Sequence, residues 1–253
     1  MGQLIREKDW NNNLLGCPET WPQSLRTTLG ILLNSKFPMF LWWGSDLICF
    51  YNDAYRPSLG KEGKHPSILG MKAVDAWPEI WDIIKPMIDS VLATGEATWN
   101  EDALIPIYRN NKIEDVYWTF SYSPVYDENS EVAGVLVTCN ETTDKVLTLK
   151  QLNESNKRFY DNIRLAPVAM CIFRGKDHVV EIANEMMLEV WGKEADEVIN
   201  RPIFEALPEA KEQNLEILLD NVYNTGEKFT TNERLIFLPR KGKIEATYIN
   251  FVY

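Results

Sequence analysis

The chain has 253 residues, 45% hydrophobic and 25% charged, with a formal net charge of −11. That length allows two domains of ordinary size, each with its own core, in a composition typical of folded globular proteins. The acid excess argues against nucleic acid and anionic membrane as partners, because phosphate recognition needs clustered Lys and Arg.

No run approaches the roughly 18 apolar residues of a membrane-spanning helix. The start, MGQLIREKDW, lacks the apolar core of a signal peptide. Cys17, Cys49, Cys139 and Cys171 show no CxxC spacing. They read as reduced thiols, and the expected location is the cytoplasm.

In chain order, Trp21, Leu25, Thr28, Leu29 and Leu32 form a one-sided helical stripe within an N-terminal helical segment, residues 1–35. Met39 to Trp43 and Leu47 to Tyr51 are short strand-like runs around Gly44-Ser-Asp, which predicts a hairpin. Asn52 follows the second run and Asn184 holds the same place further on, so both are expected to cap helices.

Trp77, Trp81, Ile84, Ile88, Val91 and Leu92 then recur at helical spacing, with Pro78 suited to the first turn and Gly95 to the stop. Pro86 should kink this helix. After Gly95 the period becomes two. Val116, Trp118, Phe120 and Tyr122 share one strand face, while Tyr117, Thr119 and Ser121 share the other. Asn110-Asn111 supplies a hairpin turn before that strand, as Lys241-Gly242 does later. Pro124 to Ser130 reads as a turn and Val132 to Cys139 as a last apolar strand.

The chain repeats itself. Val91 to Tyr122 aligns without a gap on Val222 to Tyr253, 32 residues of which 13 are identical. Upstream landmarks keep nearly the same offset, which means one domain copied rather than a solenoid of short units. The expected division is 36–142, a helical linker at 143–165, and a second domain at 166–253. The second copy ends opposite Tyr122, so its last strand should be absent or supplied from outside the sequence.

This order of signals resembles the PAS sensory domains of bacterial sensor histidine kinases. The phrases that carry the resemblance are FYNDAYRPSLG, WPEIWDIIKP and YWTFSYSPV in the first copy, with APVAMCIFRG, VVEIANEMMLEVWG and NTGEKF in the second. It implies an α+β fold of two PAS-like domains, each an antiparallel five-stranded sheet with helices on one face. It also implies a sensory and relay module of a two-component signal-transduction protein. Downstream kinase domains would be partners, since no phosphoacceptor helix or ATP-binding box occurs in these residues. A cyclic-dinucleotide enzyme or a phosphatase could carry the same module.

In this family a helix leaving the domain through a junction such as Glu141-Thr142-Thr143-Asp144 relays signals by pairing with a second copy. Leu149, Leu152, Asn156, Phe159 and Ile163 fit first and fourth heptad positions, so a homodimer seam is expected there. A helix packing back on its own domain would show the same stripe.

A pocket between sheet and helices would be faced by Trp77, Trp81, Trp99, Trp118, Phe120 and Tyr122; a filled core would use the same residues. The ligand, if any, and the cofactor are left open. The Asn-Cys-Arg-Phe-Leu-Gln run of flavin-adduct domains is missing, His65 is the one haem-ligand candidate in the first copy, and no zinc spacing occurs. Adjacent Glu101 and Asp102 should point to opposite faces of a strand. The rival reading is a small-substrate enzyme on a cone-shaped α+β fold, using buried carboxylates with raised pKa.

Overall fold

The computed structural model describes residues 1–240 and 243–253. The chain divides into two compact units, Met1–Leu149 and Lys150–Tyr253. The expected turn at Lys241-Gly242 lies outside the described residues. Among the described residues no helix is long and apolar enough to cross a membrane.

In the first unit, α1 (Gly2–Glu7) and α2 (Gln23–Asn34) lead into the hairpin β1 (Met39–Trp43) and β2 (Ile48–Tyr51). A 3₁₀ turn at Arg56–Leu59 and the short α3 (Ala73–Ala76) follow. Then α4 (Trp81–Thr94) ends on Gly95, whose left-handed φ of 68° makes the stop that the sequence predicts.

After α4 come β3 (Thr98–Leu104), the small hairpin β4 (Ile107–Arg109) and β5 (Lys112–Glu114), then β6 (Tyr117–Tyr126) and β7 (Val132–Glu141). The sheet is antiparallel with strand order β2-β1-β7-β6-β3, as expected for five strands. The last strand in sequence is central, so closing the sheet requires contacts nearly 100 residues apart: Phe40 lies opposite Val137.

The N-terminal segment packs into this unit's core. Ile5, Trp10, Trp21, Leu25, Leu29 and Leu32 are all buried, and Trp10 stacks on Phe50 of β2 at 5.4 Å. The Trp10 indole N–H also donates to the Ile5 carbonyl at 2.7 Å, so its one polar atom is satisfied.

Two local expectations are corrected. Strand β6 runs through Pro124 to Tyr126, which the sequence assigns to a turn. Pairing with β3 ends at Thr98 opposite Tyr122, so beyond that point one side of β6 is free and tolerates a residue without an N–H. A register shift between Asn100 and Ala103 also breaks strict alternation in β3. Asp102 takes φ 48°, and Lys145 reaches both Asp102 (2.9 Å) and Glu101 (3.6 Å), so the two acids do not face apart.

Helix α5 (Thr143–Arg164) leads into the second unit, where β8 (Cys171–Arg174) and β9 (Val179–Ala183) form the counterpart hairpin. Helices α6 (Glu185–Trp191), α7 (Ala195–Val198), α8 (Ile203–Ala206), α9 (Pro208–Glu212) and α10 (Leu215–Thr225) follow. The unit ends in the long hairpin β10 (Thr230–Arg240) and β11 (Lys243–Val252).

Strand β10 joins what β3 and β4 keep separate. The interruption in the first unit falls at Pro106; the aligned residue in the second is Phe237, which lies opposite Ala246 and whose backbone N–H and carbonyl are both taken by the Gln213 side chain. Among the described residues no strand lies between β8 and β11, the position β7 holds in the first unit. An apolar cavity of about 740 Å³ occupies that region, bordered by Cys171 and Phe173 on one side and Ile249 and Phe251 on the other.

Candidate functional site

The concave face of the first sheet and α4 enclose a cavity of about 40 Å³. Alternation selects its walls: Phe40 and Trp42 come from β1, Trp118, Phe120 and Tyr122 from β6, and Val137 and Cys139 from β7. Tyr55 closes it from the turn after β2, Trp77, Ile80 and Ile84 from the helical side, and Ile105 and Ile107 from the approach to β4 and its first residue. Rings meet edge to face, with Trp42 and Tyr122 at 5.3 Å, while Phe40 and Tyr55 are tilted at 4.9 Å.

No charged side chain lines this cavity. Burial pushes the hydroxyls of Tyr55 and Tyr122 and the thiol of Cys139 upward from their ordinary pKa values, so all three are neutral at pH 7. Neither phenolic hydroxyl has a hydrogen-bond partner among the described residues. The Cys139 thiol contacts the Pro38 carbonyl at 3.8 Å and, being protonated, is a poor nucleophile.

Of the six expected pocket residues, the structure brings Trp77, Trp118, Phe120 and Tyr122 together at the cavity. Trp81 is half-buried, packs on the core and does not line the cavity. Trp99 is on the surface, 68% exposed. The β3–β6 register explains it: Trp99 lies opposite Ser121, on the face turned away from Phe120 and Tyr122. Phe40, Trp42, Tyr55 and Cys139 join them at the cavity, and the Phe40/Trp42 alternation in β1 is the sequence signal for the first two.

The carboxylates whose pKa departs from the ordinary range all move down, each held by a hydrogen-bond donor, among them Asp102 by Lys145 and Glu114 by Arg109. None lies in the cavity. His65 is outside it as well, with its Nδ1 2.8 Å from the Tyr51 hydroxyl. Among the described residues no cluster of three or more His, Cys, Asp or Glu is placed to hold a metal ion.

One wall of the cavity continues into the linker helix. Strand β7 carries Val137 and Cys139, ends at Glu141, and after Thr142 the chain enters α5. Arg109, two residues beyond cavity-lining Ile107, clamps that exit. Its Nη1 and Nη2 donate to the two Glu141 oxygens at 2.8 and 2.9 Å, Nε donates to Glu114 at 2.8 Å, and Nη1 also reaches the Ser58 carbonyl at 3.2 Å. Such bidentate pairing fixes orientation as well as distance. Next to Trp118, the Tyr117 N–H donates to Thr143 Oγ1 at 3.0 Å and its carbonyl accepts from the Thr142 N–H at 2.8 Å.

Of the two expected caps, Asn184 caps α6 and does more, whereas Asn52 caps no helix, since the 3₁₀ turn after it starts from Tyr55 without a side-chain cap. The Asn184 Oδ1 accepts from Met187 in the first turn of α6, as a cap should, and also from the Met170 N–H. Its Nδ2 donates to the carbonyls of Ile163, Ala166 and Val168. Asn52 repeats this set on Met39, Tyr55, Leu32, Ser35 and Phe37, except that a 3₁₀ turn follows it and no α-helix. By this correspondence the end of α5 stands to the second unit as α2 stands to the first.

That role decides the fate of the heptad stripe. Leu149, Leu152 and Phe159 are about half exposed and Asn156 is exposed, whereas Ile163 is only 6% exposed, being the counterpart of buried Leu32. Ile163 therefore packs within its own unit and is removed from the seam.

No curated protein gives a significant match to this sequence. Among solved structures, a sensory box sensor histidine kinase from Vibrio cholerae is similar at 18% identity, covering 46% of this chain and 89% of that one, TM-score 0.34. The PAS domain of Bordetella pertussis BvgS is similar at 16% identity, covering 53% and 97%, TM-score 0.37. Family profiles described as the PAS fold match residues 46–147 and 156–249, which account for both copies of the repeat. The chain belongs to the PAS family and carries two PAS domains in tandem.

Proposed function

We propose that this chain is the sensory and relay region of a two-component signalling protein, of the sensor histidine kinase type, working as a cytoplasmic homodimer. The first domain senses through its aromatic cavity, and α5 carries the result towards downstream kinase domains. One observation carries the reading: the strand that forms a cavity wall runs into α5 across a single residue, at a junction gripped by Arg109. A change in cavity filling that shifts Ile107 or Cys139 acts on both ends of the Arg109–Glu141 pair. A dimer seam made of Leu149, Leu152, Asn156 and Phe159 would convert that shift into altered helix pairing.

Light scattering on wild type and Phe159→Asp tests the seam. A dimeric wild type and a monomeric variant are expected, and equal masses would remove α5 as the interface. Arg109→Gln, in a fusion to a histidine kinase catalytic region, should change basal autophosphorylation at least about threefold if the clamp sets the coupling. Unchanged activity would disconnect the cavity from the helix.

A further inference from the structure

We propose that the cavity of the first domain is entered through the wall between residues 76–80 and β4, and that the Lys64–Glu79 pair is the latch holding this wall shut. The inference rests on that domain being the sensing one and names the route by which a solute reaches its cavity.

The wall has two sides. Trp77 and Ile80 face the cavity, whereas Ala76, Pro78 and Glu79 line a separate open cleft of about 380 Å³. β4 divides in the same way, with Ile107 on the cavity and Tyr108 on the cleft. One thickness of chain therefore separates the two spaces. Entry through the sheet would break a ladder instead, since β1, β7 and β6 are each paired on both sides.

Across this wall the fastening is small. Among the described residues β4 pairs with β5 alone, and Pro106 just before it has no N–H to donate. Its bond to the helical side is the Tyr108 N–H donating to Glu79 Oε1 at 3.0 Å. Lys64 holds that carboxylate in place. Its ammonium donates to the two Glu79 oxygens at 2.7 and 2.8 Å and to the Ala76 carbonyl, and it lies 4.3 Å over the Trp77 ring. Both side chains are 13% exposed, and burial pulls the Lys64 pKa down, the mark of an ammonium withdrawn from water. Removing either partner leaves the other charge uncompensated, so the two act as one fastening.

The latch also borders the relay. Tyr108 precedes Arg109, and the turn beyond them is tied to the loop that carries Lys64. There the Lys61 N–H donates to Asn110 Oδ1 at 3.0 Å and the Asn110 N–H to the Glu62 carbonyl at 3.1 Å. Lifting Tyr108 from Glu79 while that turn is held moves Arg109 against Glu141.

Cys139 lines the cavity, and Cys49, just as buried, lies outside both cavity and cleft, so the two thiols separate local opening from unfolding. Methyl methanethiosulfonate is a small neutral reagent that converts a thiol to its methyl disulfide and releases methanesulfinate. On the full chain, with labelling read at each cysteine by peptide mass spectrometry, Glu79→Gln and Lys64→Met should each label Cys139 about tenfold faster than wild type and leave Cys49 unchanged. Because both release one latch, the double variant should label no faster than either single one. Asp75→Asn, on the same cleft but outside the latch, should match wild type.

An unchanged Cys139 rate would overturn the proposal. So would equal acceleration at Cys49, which reports unfolding of the whole domain, an accelerated Asp75→Asn, or a double variant whose effects multiply. The two readings stay separable. An unmoved Cys139 with Arg109→Gln still altering autophosphorylation removes the gate and leaves the sensory reading standing, whereas latch-dependent labelling with a silent Arg109→Gln does the reverse.

Discussion

Asn52 is fully buried, and its side chain serves five backbone groups, two N–H groups and three carbonyls. The sequence signals an acceptor oxygen for the turn that follows; it does not show the second half of the role. The amide nitrogen collects three carbonyls between residues 32 and 37, and those partners become neighbours only when β1 and β2 pair. Asn52→Ala and Asn184→Ala should each cost their own domain about 3 kcal/mol, because buried carbonyls and N–H groups are orphaned. Urea melts followed by Trp emission should show the loss for Asn52→Ala and little change for Asn184→Ala. The opposite assignment would mean the two hubs are not local. Trp99 teaches the converse. Its residue type suits a pocket, yet face selection in a bulged strand depends on register, which a single sequence leaves open.

Among the elements, hairpins, helices and strand faces were largely legible, because periodicity and turn chemistry are local properties. The Gly44 and Asn110-Asn111 turns lie where expected, and Val116, Trp118, Phe120 and Tyr122 are buried on one face. The unmatched position between β8 and β11 has a measurable consequence. Edge N–H groups of β8 and β11 should exchange with deuterium at least about tenfold faster than those of β1 and β6, which are paired on both sides. Equal protection would indicate that another strand covers those edges in solution. The sequence alone leaves helix α5 with two readings, because a seam and a packed face share one spacing; burial assigns Ile163 to its own unit, while Leu152 and Phe159 are exposed.

For the whole molecule, acid should loosen the first domain. Asp53, beside the N-terminal ammonium, Asp102, beside Lys145, and Glu114, beside Arg109, have carboxyls held below their ordinary range. A depressed folded-state pKa contributes stability above the unfolded-state value and loses it as pH falls through the folded one. The melting temperature should therefore hold near neutrality and drop below about pH 4. A flat profile down to pH 3 would show these surface pairs to be energetically silent, the usual fate of exposed pairs.

The repeated order of apolar periods, turns and paired Asn residues determined by itself that the chain holds two copies of one sensory fold, because those signals are written into neighbouring residues. Only the tertiary structure decided which aromatic side chains enclose the cavity, and that Arg109 meets Glu141 across 32 positions. Those facts depend on strand register and on the last strand entering the centre of the sheet, where distant parts of the chain must agree.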